Sequence, residues 1–160
     1  MRNQQKGFSL IELLIVVAIF LIISAIAIPN FMRSRMRANE VSAVASLRAI
    51  NTAAVTYSIT YPDVNFPATL SALGGPAPCT TSLATSAGAC LIDEVLAAGT
   101  KSGYNFVWTG DGLVPSVTFT VTATPQVPGS SGQNNYCTDQ SGLIRLEPAG
   151  TACTSASAPL

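Results

Sequence analysis

Lys6-Gly7-Phe8-Ser9-Leu10-Ile11-Glu12 opens a run that stays apolar from Leu13 to Ile28, broken only by Ser24. At about 1.5 Å per residue, Phe8 to Ile28 makes ~30 Å of helix, enough to cross a bilayer once. The residues before Gly7 are polar after Met1 and carry Arg2 and Lys6, the charged start of an export signal. Glu12 is the one acid in this stretch. A carboxylate deep in hydrocarbon costs on the order of 2.5–3.5 kcal/mol on insertion scales, so such a residue is expected to have a partner.

The combination of a short charged leader, Gly7 before Phe8, Glu12, a long apolar stretch and Pro29 resembles the start of a type IV prepilin or type II secretion pseudopilin. The resemblance implies that a membrane-embedded prepilin peptidase cuts after Gly7 and methylates the new amine of Phe8. It further implies that Glu12 guides assembly by pairing with a Phe8 amine. The physics agrees: in lipid an ammonium and a carboxylate that meet remove each other's unsatisfied charge, whereas either alone is penalised.

Two simpler readings compete. An ordinary signal peptide could end at Ala25-Ile26-Ala27, but a Glu lies inside the apolar region and that region exceeds the usual 7–15 residues. A plain uncleaved anchor could instead turn Glu12 toward some partner helix. Basic residues do not orient the segment, because Arg2 and Lys6 precede it and Arg33, Arg35 and Arg37 follow it.

The cysteines orient it. Cys79, Cys90, Cys137 and Cys153 all follow the apolar run, none forms a Cys-x-x-Cys, and the chain has no histidine. A zinc site would need all four as ligands at odd spacing, so disulfides in an oxidising compartment are expected. Three connectivities exist. Local pairing, Cys79–Cys90 and Cys137–Cys153, closes two loops rich in small polar residues and is favoured, although spacing alone leaves the crossed arrangements open. The resemblance agrees for the second pair, since pilins of this type often carry a disulfide-closed loop near the C-terminus. The domain after the anchor is accordingly expected outside the cytoplasm.

Charged residues make up only 10% of the chain, against about 25% in an average soluble domain. Beyond Tyr61 there are two basic residues, Lys101 and Arg145, against six acidic ones, a net of −4. Such a head has no electrostatic footprint for nucleic acid. Sparse charge among many Ser, Thr and Ala suits a surface that packs against copies of itself.

From Asn30 to Tyr61 there is neither Gly nor Pro, and Pro62 supplies a stop. Met36, Ala43, Leu47, Ile50, Ala54, Tyr57 and Tyr61 form one helical stripe, expected to lie on the sheet of a head. A second face holds Val41, Val44, Val55 and Ile59 with Arg48, and a third holds Ser42, Ala45, Ser46, Ala49 and Ala53. Extra apolar and small faces permit close helix-to-helix approach in a bundle. Arg33, Arg37 and Glu40 share another flank, where they pair within the helix or are solvated. Pro29 is expected to kink or unwind the helix over Ser24 to Pro29.

After Pro62 the chain turns often. Phe66 to Gly75 reads as a short helical turn, and Leu91 to Ala98 as another ending at Gly99. Tyr104, Phe106 and Trp108 alternate, as do Val117, Phe119, Val121 and Ala123, while Asn135–Thr138 and Leu143–Leu146 suggest a hairpin. The aromatic row is read as cross-strand core packing.

The expected fold is α+β: a long N-terminal helix, membrane-spanning in its first half and kinked near Pro29, on a small antiparallel sheet of three to four strands. The expected divisions are a leader (1–7), a filament-core half-helix (8–29), an amphipathic half-helix (30–61), a connecting region with short helices (62–101) and the sheet with its disulfide loop (102–160). No catalytic constellation, metal site or cofactor site is expected: without histidine a Ser nucleophile would need Lys101 as its base. An acidic calcium loop, usual near the end of the major pseudopilin, has no counterpart, since Glu147 is the only acid after Asp139.

The resemblance implies a structural subunit of a type IV pilus, or else a pseudopilin or minor pilin. Its partners would be copies of itself, other pilins, the prepilin peptidase/methyltransferase and the inner-membrane assembly machinery. It would sit in the inner membrane before assembly and in an extracellular pilus or periplasm-spanning pseudopilus afterwards. The reading from another class is a monomeric, membrane-tethered extracytoplasmic binding domain, which would need neither Glu12 nor a many-faced helix.

Overall fold

The computed structural model describes residues 8–75, 79 and 83–160, and the chain divides into two compact units, residues 1–35 and 36–160. The leader, with Gly7, lies outside the described residues. Helix α1, Leu10–Thr60, begins in the first unit and ends in the second. Its start follows from Ser9, whose carbonyl accepts the backbone N–H groups of Glu12 at 3.1 Å and Leu13 at 3.2 Å. Ser9 and Glu12 also hold the Ser-x-x-Glu spacing that favours a helix N-terminus.

In the first unit no described side chain is buried, and Phe8 is 77% exposed. A kink or local unwinding was expected over Ser24 to Pro29, and no break in the helix is found there. Those residues are helical, with Pro29 inside α1. Proline removes one backbone hydrogen bond there, and the neighbouring apolar residues, without glycine, continue the helix.

In the second unit the remainder of α1 packs on a six-stranded antiparallel sheet in the order β1-β2-β3-β4-β5-β6. The strands are β1 Thr100–Lys101, β2 Tyr104–Gly110, β3 Phe119–Pro125, β4 Asn134–Asp139, β5 Arg145–Pro148 and β6 Ala158–Pro159. Three to four strands were expected. The two additional ones are two-residue edge strands, too short to show the alternation by which strands are recognised. β3 begins at Phe119 rather than Val117, because the backbone N–H groups of Val117 and Thr118 are bound by the Asp111 carboxylate. β5 starts at Arg145, two residues later than its apolar pattern suggests.

The connecting region contains a 3-10 turn, Leu70–Leu73, and a single-turn helix α2, Glu94–Ala97. Asp93 caps α2 by accepting the backbone N–H of Leu96 at 3.0 Å, and Gly99 ends it at a φ of 82° that glycine adopts without strain.

The core joins Leu47, Ile50, Ala54 and Tyr57 of α1 to Tyr104 and Phe106 of β2, Phe119, Val121 and Ala123 of β3, and Tyr136 of β4. Trp108 stacks on Phe119 at 4.3 Å, so the aromatic row packs across strands. The sheet-facing side of α1 is wider than the expected stripe. Val44, Ser46 and Ala53, assigned from sequence to other faces, are buried as well. Small side chains let the sheet approach closely on either side of Leu47 and Ile50.

Candidate functional site

Phe8 lies two residues before α1, and Glu12 lies within the first turn of that helix. Both are exposed, and the positive end of the helix dipole favours a carboxylate in that turn. Between Lys6 and Arg33 Glu12 is the only ionisable side chain. Helix α1 is long and apolar enough to cross a membrane, and its apolar window is entirely unburied.

Farther along α1, in the second unit, Val41, Val55 and Ile59 remain exposed. The hydroxyl groups beside them are paired within the helix. Thr52 donates to the carbonyl of Arg48 at 3.0 Å, Thr56 to that of Thr52 at 2.9 Å, and Thr60 to that of Thr56 at 2.8 Å. Each threonine thereby satisfies its hydroxyl on the preceding turn of its own helix. This face is more apolar than its composition suggests, because donors that water would otherwise solvate are already paired.

Arg33, Arg37 and Glu40 do not form the ion pairs considered for their flank. Among the described residues the salt bridge found is Lys101–Asp93 at 2.8 Å. Glu40 Oε1 instead accepts the backbone N–H of Gln133 at 2.8 Å and the side-chain amide of Asn134 at 3.2 Å. Burial is the main cause that raises the pKa of Tyr104, and the Glu40 charge adds to it; the same two causes raise that of Tyr136. Lys101 is the first cause holding Asp93 below the usual carboxylate range.

Cys79 is joined to Cys90 and Cys137 to Cys153, with Cα–Cα separations of 5.6 and 5.7 Å. The second bridge ties β4 to the segment before β6. Among the described residues no group of three or more His, Cys, Asp or Glu side chains stands together as a cation site.

Three features were not legible in the sequence: the reach of Glu40 to Gln133, the threonines paired to their own helix, and Asp111 as the brace of a loop. The first joins residues 93 positions apart, which no local pattern reveals. The threonine spacing of four was visible, but its consequence was not drawn. Asp111 sits between two glycines, and its backbone partners Val117 and Thr118 lie six and seven residues farther on.

Residues 2–28 match the family model of the prokaryotic N-terminal methylation motif. By this segment the chain is similar to type IV pilins. The chain is 50% identical over 50 residues to the type IV major pilin protein PilA of Myxococcus xanthus, covering 31% of this chain and 23% of the relative. It is 55% identical over 47 residues to the type IV wide pilus major component PilA4 of Thermus thermophilus, covering 29% and 35%. It is 52% identical over 50 residues to a fimbrial protein of Pseudomonas aeruginosa, covering 31% and 32%. The chain thus spans about a quarter to a third of the length of the relatives it matches. No solved structure matches it.

Proposed function

We propose that this chain is the structural subunit of a type IV pilus, made as a prepilin and polymerised through α1. The observation that carries the reading is an unburied apolar helix interrupted by one carboxylate, Glu12, inside a methylation motif. Such a helix is tolerated in lipid before assembly, and bundling with its copies is the alternative environment that keeps it from water. The apolar face of α1 in the second unit extends the contact beyond the membrane segment. The relatives are named as a major pilin, a pilus component and a fimbrial protein, and the function comes to this chain through them.

On this reading an inner-membrane prepilin peptidase cuts after Gly7 and methylates Phe8. Inner-membrane machinery then extracts the subunit into the filament, and the head stays on the extracytoplasmic side. Glu12 offsets the Phe8 ammonium of a neighbouring subunit as both leave lipid. In a low-dielectric bundle that pairing is far stronger than at a surface, and an unpaired acid is costly. The role is structural, without catalysis.

The test is competition. Glu12→Leu, coexpressed with the wild-type chain, should insert and be cut after Gly7 but be depleted from sheared filaments relative to the membrane pool. Equal incorporation removes the assembly role of Glu12.

A further inference from the structure

The loop between β2 and β3 is an apolar tip with a fixed shape. Leu113, Val114 and Val117 are 60%, 81% and 55% exposed. Beneath them the Asp111 carboxylate accepts the backbone N–H groups of Leu113 at 3.0 Å, Val117 at 2.8 Å and Thr118 at 2.9 Å. Ser116 donates its N–H to the carbonyl of Val64 at 2.9 Å and accepts that of Phe66 at 3.4 Å. Four backbone N–H groups of the loop, those of Leu113, Ser116, Val117 and Thr118, are thus paired within the fold and fix its shape. Ordering is a main cost of association, and here it is met within the fold.

At the other end of the same unit lies a groove of about 550 Å³. Its walls include Val41, Val44, Tyr136 and Leu160, between Arg37 and Arg48. The two features cannot meet within one molecule. The tip is tied to Val64 and Phe66, just after α1 ends, whereas the groove is built on residues 37–48 of α1. Sixteen residues of helix, from Val44 to Thr60, separate those ends by about 24 Å. The strands run between them: Ser42 Oγ bonds Ser102 Oγ near the start of β2, Asn51 bonds Thr138 of β4 midway, and β2 reaches the tip at Gly110.

Acidic side chains gather at the tip end, while the groove is lined by two arginines and one acid, Glu40. Asp63, Asp111 and Asp139 lie at the tip end, the last opposite Thr120 at the start of β3. Arg37 and Arg48 flank the groove, and neither joins a salt bridge among the described residues.

We infer that the Leu113–Val117 tip of one head docks into the Val41–Leu160 groove of a second copy of this chain. The apolar tip enters an apolar floor, while the acidic end of one head faces the arginines of the next. Tip and groove are different patches, so the contact is heterologous and repeats in one direction without closing, as a filament requires. This inference rests on the pilus-subunit reading and adds which surfaces of the head meet.

The test places a photoreactive benzoylphenylalanine at Val114, and separately at Leu113, in the full chain in cells that assemble it. Filaments are sheared after irradiation and the crosslinked peptides mapped by mass spectrometry. The expected product is a dimer linking the tip to residues 37–48 or to Leu160 of another copy. Val114→Glu, on a side chain outside the core, should leave the membrane pool intact while filament yield falls. Filaments whose tip crosslinks reach other residues, lipid or an unrelated protein, or give no product from either position, overturn the tip-in-groove contact alone. Absence of the wild-type chain from any filament overturns the subunit reading and this contact with it.

Discussion

Glu40 reaches from α1 to the start of β4, where its carboxylate accepts the backbone N–H of Gln133 at 2.8 Å. The contact fastens a helix facing the sheet to the strand that carries Tyr136 and Cys137. A hydrogen bond to a charged group contributes about 1.5–3 kcal/mol when its partner would otherwise be unpaired. Glu40→Ala should destabilise the head by roughly 1–2 kcal/mol, discounted because the bond is partly solvated. Glu40→Gln, which retains an acceptor oxygen, should cost less. Urea denaturation of the detergent-solubilised chain, followed by tryptophan fluorescence, measures both.

The two disulfides bridge cysteines 11 and 16 positions apart in sequence. Opening either one should cost the head about 2–4 kcal/mol through the freedom gained by the unfolded chain. Paired Cys137→Ser and Cys153→Ser substitutions should lower the denaturation midpoint, as should Cys79→Ser with Cys90→Ser. Unchanged midpoints in both double variants would show that the loops need no staple.

Asp111 carries a pH dependence whose sign is fixed by its partners. The backbone N–H groups of Leu113 and Val117 hold its carboxyl well below the usual carboxylate range. A depressed folded-state pKa contributes stability that is present above the unfolded value, ~3.9, and is lost as pH falls through the folded one. The loop should therefore stay braced at neutral and mildly acidic pH and loosen only in strong acid. The amide NMR shifts of Leu113, Val117 and Thr118 should titrate together below that value. In Asp111→Asn all three should sit at loosened positions at neutral pH.

Gly132 is buried against Tyr104, and a Cβ added there would collide with the Tyr104 hydroxyl. That hydroxyl donates to the carbonyl of Asn134 at 3.0 Å, so it cannot move aside without leaving a buried polar group unpaired. Gly132→Ala should destabilise the head by about 1–3 kcal/mol. Gly132→Ala combined with Tyr104→Phe should recover part of the loss in the same denaturation assay.

The sequence revealed features that repeat locally. The apolar run, the stripe through Leu47 and Tyr57, and the alternation through Val121 and Ala123 each repeat with the period of their element. They outline a helix on an antiparallel sheet. What stayed hidden depends on distant partners. β1 and β6 have two residues each and exist because β2 and β5 offer unpaired edges. Val44, Ser46 and Ala53 are buried because the sheet spreads around α1, which helical periodicity alone does not state. At the N-terminus the reverse holds: the apolar run with its single carboxylate, Glu12, stands out because membrane chemistry restricts charge so strongly, while cleavage after Gly7, methylation of Phe8 and the assembly role of Glu12 are proposals.

The account stands or falls on what the assembled subunit is. Filaments sheared from cells producing this chain should be dissolved and the intact mass of the subunit measured. The account predicts a chain that begins at N-methyl-Phe8, carries two disulfides and forms the filament. A filament without this chain, or a filament subunit beginning at Met1 or Ile28, would contradict it.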